Sequence, residues 1–563
     1  MGKRPCPSPV AIPGQSWLDF ASGARCKSMV TAMDLHTSFP TLRLRILLLA
    51  TTLLSAPSPA APALALLGGA LAAPAETRKA DVVVLSARDL NLLNRLTWGV
   101  NPSIAQEYAS LGPDKFLDRQ LHPPPVSKLP ADARAAIDAL GISHSLLVTF
   151  VADIDQQAKA ANAITDPPQR QAAQTAVQEA LNKAGREAAI RSLLRDLYSP
   201  DQLREQMSWF WFNHFNVHLY KSNIRLLIGD YEDTLRTHAL GHFRDLLAAT
   251  LHHPAMLRYL DNDQNAAGHI NENYAREIME LHSLGVGSGY SQGDVQELAR
   301  ILTGAGVNQG AAEPKLKPEL LSQYVHSGLF EFNPNRHDYG DKLFLGRNIK
   351  GRGLAEIDEA LDMISRAPAT AHFISRKLAV YFVSDNPSPQ LVDRMAATFR
   401  QTDGDIAAVL KTMFTSPEFK DSLGTQFKDP MHYAISAVRL AYDDKVVLNV
   451  GPILGWLGRM AEPLYGHDTP DGFPLIEAAW SAPGQMATRF EIARAIGSGS
   501  AGLFKPDGAG AVDHPAFPQP ANALYFTSLR PTLNAATKAA LDQAVSPQDW
   551  NTLFLSSPEF MRR

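Results

Sequence analysis

The chain has 563 residues, 45% of them hydrophobic and 20% charged. That is enough for a large core, in one helical body or in more than one domain. A net charge of −4 at pH 7 argues against a nucleic-acid footprint, and both cysteines, Cys6 and Cys26, precede Met33, which removes disulfides, thiolate catalysis and Cys-ligated zinc from everything downstream.

The first stretch reads as targeting. Arg43 and Arg45, an apolar run from Ile46 to Leu54 and small-residue sites such as Ala70-Leu71-Ala72 form a Sec-type signal pattern. A start at Met33 would put the basic flank about a dozen residues from the beginning, as such signals prefer, so residues 1–32 read as a misassigned extension. The other reading, a transmembrane anchor, is disfavoured because the run is shorter than the ~20 residues a span needs and is followed by Pro57, Pro59 and Pro62. The expectation is an exported protein, periplasmic or extracellular, with no stable membrane span after cleavage. Removing residues 1–75 takes away six basic and two acidic groups and leaves a net −8, a charge that does not hold a protein on anionic lipid.

Residues 76–496 read as a helical main body. "SARDLNLLNRLTWG" has Ser86 as an N-cap and Gly99 as a stop, and "PSIAQEYASLGPDKFLDRQL" repeats the grammar. Residues 150–190 are rich in Ala and Gln and break at "DPP", which predicts a helical hairpin projecting from the body. Helical patterns continue through the aromatic-rich 202–255 and through 270–304. Residues 324–350 alternate apolar and polar, with Asn-Pro and Tyr-Gly turn signals, and predict a short β-hairpin or irregular loop. Helix returns at 354–420. "SPEF" at 416–419 and again within "SSPEFM" at 556–561 reads each time as a cap before an acidic first turn. Residues 497–520 are a Gly/Pro-rich loop or linker, and 521–563 a C-terminal helical segment. The fold class is all-α.

The densest polar line is "NENYAREIMELHSLG", 271–285. At about 100° per residue, Tyr274, Ile278 and Leu281 share an apolar arc that Ala275 and Met279 extend, and His282 falls inside it. Asn273, Arg276, Glu277 and Glu280 form a separate polar stripe. Three readings stay open for that stripe: an exposed Arg276–Glu280 pair with a capping network, a buried polar network joining helices, or a carboxylate pair lining a cleft.

Other candidates follow from spacing. His214 and His218 lie four apart, compatible with metal ligation, but an aromatic stripe of Met207, Phe210 and Trp211 on the same face suits a core equally well. His238 and His242 repeat the spacing. In "NPNRHDYGDK" an imidazole beside a carboxylate, His337 and Asp338, could make a general base with Lys342 stabilising an anion, or form a polar turn. His372 and Arg376, with Lys377 adjacent, form either an anion-binding patch or a solvated helix face. Trp480 and Arg489 read as a stacking platform or as a core aromatic with a surface Arg. No G-x-S-x-G elbow, Walker loop, dinucleotide fingerprint or EF-hand loop is present.

"WFWFNHF", "NENYAREIMELHSLGVGSGYSQGDVQELARILTG", "HDYGDKLFLG", "PATAHFISRKLAVYFV" and "GFPLIEAAWSAPGQMATRFEIA" together resemble the bacterial domain-of-unknown-function family 1800, from about residue 88 to the C-terminus. His214, Asn273, Arg276, Glu277, Glu280, His282, Asp294, Thr303, Gly304, His337, Asp338 and Lys342 match its motifs, and Gly472, Pro474, Trp480 and Arg489 fit its last one. The resemblance implies an exported bacterial protein whose relatives often occur beside a second exported family resembling sulfatases and alkaline phosphatases. It implies no reaction.

Three expectations follow. The first is a hydrolase-like enzyme acting on an extracellular polymer or ester, a glycan included, with Glu277, Glu280, His337 and Asp338 as catalytic groups and Asn273, Arg276, Lys342, Trp480 and Arg489 binding substrate. The second is a non-catalytic scaffold or chaperone for a co-exported partner. The third is a metal-binding protein using His214, His218, His282 and His337; otherwise no cofactor is expected. The targeting pattern predicts that a secreting bacterial host removes about the first 75 residues. N-terminal sequencing of the periplasmic or medium fraction checks this, and an intact N-terminus in the cytoplasm contradicts it.

Overall fold

The computed structural model describes residues 83–310, 313–506, 514 and 516–563. The signal pattern, both cysteines and part of the 497–520 loop lie outside the described residues. The structure is 61% helical and 4% strand, as periodicity predicts.

The helix Gln202–His214 organises the rest, because all its residues are buried. A helix enclosed on every side must satisfy its polar groups internally. Glu205 accepts two hydrogen bonds from Arg236, at 2.6 and 2.7 Å. Arg204 pairs with Asp201 at 2.7 Å. Trp211 donates to the Ala239 carbonyl, and Tyr231 to the Phe215 carbonyl just past the helix end. The helix Pro430–Tyr442 is buried throughout as well.

The Ala/Gln-rich segment forms a hairpin of Leu147–Ala163 and the 32-residue Pro167–Tyr198. Asp166 caps the second helix by accepting from the Gln169 amide. The tip is mostly exposed, and burial becomes dense from Leu181 onward as Leu193, Leu194 and Leu197 enter the core.

The 324–350 region resolves into two small antiparallel sheets. Phe330–Phe332 pairs with Val325–Ser327 on one side and with Ala305–Val307 on the other, and Lys342–Phe344 pairs with Arg347–Ile349. The strand at 305–307 has no counterpart in the sequence reading, because three residues are too few to show alternation.

"SPEF" at 416–419 is a helix N-cap, with Ser416 accepting from the Phe419 amide. The second copy is a turn: Ser557 accepts from the Phe560 amide, but no helix follows. The C-terminal helix Pro547–Leu555 packs on Pro483–Gly497, where Asn551 donates to the Gly497 carbonyl. Residues 79–563 form one compact unit. Arg95, fully buried, ties distant parts of it together by donating to the carbonyls of Phe382, Ser422 and Arg563. No helix among the described residues is long and apolar enough to cross a membrane.

Candidate functional site

The 271–285 run begins as the expected helix and then widens. Asn271 accepts from the Asn273 amide at 3.0 Å. Asn273–Glu277 is α-helical, and Ile278–His282 forms a π turn. Such turns insert one residue into the ladder and recur at functional sites. Two side-chain features stabilise this one. The Ser283 hydroxyl donates to the Ile278 carbonyl. Gly285, at φ +88°, lies where a Cβ would come within 2.7 Å of the Phe373 ring, so only glycine fits. The turn leaves Ile278, Met279 and His282 all buried.

The stripe and His282 remain on different sides, as helical geometry predicts. The expected Arg276–Glu280 pair does not form. Arg276 donates instead to Glu272 at 3.1 Å and to Gln292 at 2.9 Å. Glu277 and Glu280 are half-buried and have no hydrogen-bonded partner among the described residues. Burial, then the Glu280 charge and Asp471, hold the Glu277 carboxyl above the usual carboxylate range, against the pull of Arg276. A carboxyl displaced upward in this way is suited to proton donation.

On the buried side, His214 links three elements. Its Nε2 lies 3.0 Å from the His282 carbonyl and its Nδ1 2.9 Å from Lys377 Nζ. A carbonyl only accepts, so Nε2 carries the proton and Nδ1 accepts from the amine. Burial pushes both imidazoles down, His282 to about 3, with Lys377 adding to the effect. Burial also lowers Lys377 to about 8, with the Asp471 charge opposing.

Asp471 acts on both Glu277 and Lys377. It sits in a loop, "HDTPDGFP", clamped to the end of the buried helix. Asn213 accepts from the Phe473 amide at 2.6 Å and donates to the Phe473 carbonyl at 2.9 Å. Asn216 donates to the carbonyls of His467 and Thr469. Gly472 has φ +75°, and a Cβ there would stand 2.0 Å from the Asn213 carbonyl oxygen. Burial raises Asp471, but bonds from Thr469 and His467 outweigh it and keep the carboxyl below its ordinary value. Asp471 thus acts electrostatically on Glu277 in the polar stripe, which Glu280 also influences, and on Lys377, which is hydrogen-bonded to His214 on the buried side. Asp471 was not singled out from the sequence. Its only local signal is the Asp-Gly pair, an ordinary turn signature.

The remaining candidates are engaged elsewhere. His337 is buried, with Nε2 at 2.9 Å from Glu356 and Nδ1 at 2.8 Å from the Thr303 carbonyl. Glu356, also buried, accepts from Lys342 and from the amides of Arg352 and Gly353. Burial of Glu356 opposes ionisation, but its bonds to His337 and Lys342 prevail and lower its pKa. Asp338 receives two bonds from Arg300, at 2.8 and 3.1 Å, which with that charge bring it to about 2. His337, Asp338 and Lys342 therefore form a saturated network holding sheet to helix, and none of its hydrogen bonds reaches Glu277 or Glu280. Asn273 is exposed and donates to the Leu260 carbonyl. Trp480 is buried, with its indole N–H on the Pro474 carbonyl. Arg489 is fully buried between the rings of Phe427 and Tyr433 and donates to the Lys428 carbonyl; it is not a surface group.

His214 and His218 do not share a helical face, because the helix ends at His214. His218 turns to Asp468 at 3.1 Å. No group of three or more His, Cys, Asp or Glu among the described residues is arranged to hold a metal ion.

These features define a helical protein with a titratable cluster around a π turn. The chain belongs to the family described as protein of unknown function DUF1800, whose model matches residues 91–562. No curated protein and no solved structure matches it.

Glu356→Gln leaves the Lys342 ammonium buried without its counter-charge and should lower unfolding free energy at pH 7 by about 3–5 kcal/mol. The folded pKa of Glu356 lies below its unfolded 4.5, so its contribution is present above that pH and is lost on acidification through the folded value. Urea melts should show the gap between wild type and variant closing as pH falls; equal midpoints at pH 7 would contradict the strut.

Proposed function

We propose that the protein is an exported hydrolase-like enzyme using carboxylate acid–base chemistry on an extracellular polymer or ester, a glycan among the substrates. The observation that carries this reading is the half-buried Glu277 carboxyl, held in its protonated form to higher pH by burial and by Glu280 and Asp471. Glu277 serves as proton donor, and Glu280 or Asp471 as the base that activates water. Lys377, poised near pH 8 and tethered to His214, balances negative charge that develops on the substrate. Groups with environments that push their pKa values apart are the usual mark of an acid–base pair.

His337, Asp338 and Lys342 have no direct part in this chemistry, since their hydrogen-bonding capacity is spent on Glu356, Arg300 and Thr303. That saturated network is the one observation favouring the second reading, a non-catalytic scaffold for a co-exported partner of the sulfatase or phosphatase type.

Glu277→Gln replaces an acid by an amide of the same shape at a half-buried position. In a screen of the mature chain against polysaccharides and esters, the variant should lose about 100-fold or more in kcat while keeping the wild-type unfolding midpoint. Activity should also fall as pH rises through the elevated Glu277 pKa, where the donor is lost. A folded variant with full activity overturns the assignment.

A further inference from the structure

A second site lies away from the π turn. A pocket of about 420 Å³ opens between the Ala87–Leu96 helix, the Pro430–Tyr442 helix and the C-terminal segment. Leu440, Leu533, Phe554 and Phe560 give it an apolar wall, and Lys428 and Ser436 line it together. The volume is within the ~300–1,000 Å³ of ordinary small-molecule sites.

Lys428 is buried, with Nζ 3.0 Å from Ser436 Oγ and 3.9 Å from the centre of the Phe560 ring. Its backbone is fixed at both ends: the amide donates to the Met561 carbonyl, and its carbonyl accepts from Arg489. No carboxylate pairs with the amine among the described residues. Burial, then Arg489 and Arg563, lower its pKa to about 7.

Ser436 is equally constrained. It rides on a fully buried helix, and its Cβ lies 2.4 Å from where a Cβ on Gly99 would stand, at φ +126°. Glycine at 99 is what allows the serine to stand there. Asn94, also lining the pocket, uses its Oδ1 for the Val100 amide, which leaves its NH2 group as a donor for a developing oxyanion.

We propose that Ser436 and Lys428 form a serine–lysine dyad that hydrolyses esters carrying an apolar acyl chain, a site separate from the Glu277 cluster. Lys428 Nζ donates to Ser436 Oγ at 3.0 Å while the Ser436 hydroxyl donates to the Tyr433 carbonyl at 3.1 Å, so the two groups are within nucleophile-and-base reach and the hydroxyl turns from that carbonyl to the amine before attack. Ser436 Oγ attacks the ester carbonyl carbon while its proton passes to Lys428 Nζ, and the carbonyl π pair moves onto oxygen. Collapse expels the alcohol, which takes the proton from the Lys428 ammonium, and leaves Ser436 acylated. Water then attacks the acyl carbon and gives a proton to Lys428. On collapse the carboxylic acid leaves, and Ser436 regains its proton.

The test treats the full-length chain with an alkyl fluorophosphonate, whose phosphorus is attacked by a serine Oγ with loss of fluoride, and maps the adduct by peptide mass spectrometry. Hydrolysis of p-nitrophenyl hexanoate is followed in parallel. The expected result is one adduct, on Ser436, absent in Ser436→Ala, with ester hydrolysis at least about 100-fold slower in Ser436→Ala and in Lys428→Met. Ser436→Ala removes a single oxygen, and mapping the wild-type protein needs no variant, so the result does not depend on Lys428→Met folding. An adduct on another residue, no adduct, or unchanged hydrolysis in a folded Ser436→Ala overturns the dyad.

Discussion

The hydrogen bond between His214 Nε2 and the His282 carbonyl is the constraint on which the π-turn site depends. It joins the end of a helix buried on every side to the end of the widened turn. Because the carbonyl fixes the proton on Nε2, the other ring nitrogen must accept, and the group that supplies the proton is Lys377. One buried imidazole therefore sets the position of an amine and the orientation of the segment carrying Glu277. The Asn213 and Asn216 side chains, one residue before His214 and two residues after it, hold the loop with Asp471. Three residues at and just past the end of the central helix, Asn213, His214 and Asn216, thus position the Asp471 loop and Lys377.

Charge and burial act against one another around this point. Asp471 pulls Lys377 up while burial pulls it down, and the same carboxylate pushes Glu277 up. The His337–Glu356–Lys342 network shows the contrasting outcome. There the Glu356 carboxylate, bonded to His337, Lys342 and two backbone amides, neutralises the buried ammonium within the network. Both clusters come from polar motifs that look alike in sequence; the number of unspent hydrogen-bonding positions separates them. Lys428 belongs with the former, since Arg489 and Arg563 act on it and no carboxylate is paired with it among the described residues.

The helices and the division of the 271–285 run into a polar stripe and an inward His282 were legible from periodicity. The π turn was not, because it depends on the Ser283 hydroxyl and on Phe373 crowding Gly285, and neither is a periodic feature. His214 and His218 looked like a helical pair because nothing in "NHFNVH" announces that the helix stops at His214. Asp471 and Lys377 could not be assigned to one place from the sequence. Asn213 reaches its loop partner across 260 residues of chain, and no local pattern encodes that contact. His337 and Asp338 suggested a catalytic loop because their partners, Glu356 and Arg300, lie on helices outside the motif.

The coupling of Lys377 to Asp471 can be read directly. Carbon-13 NMR titration of the reductively methylated protein, with the Lys377 signal assigned by a Lys377→Arg control, gives the amine's pKa. The expected value is near 8, moving lower in Asp471→Asn as the opposing charge is removed. A value near the ordinary 10.5, unchanged in Asp471→Asn, would contradict it.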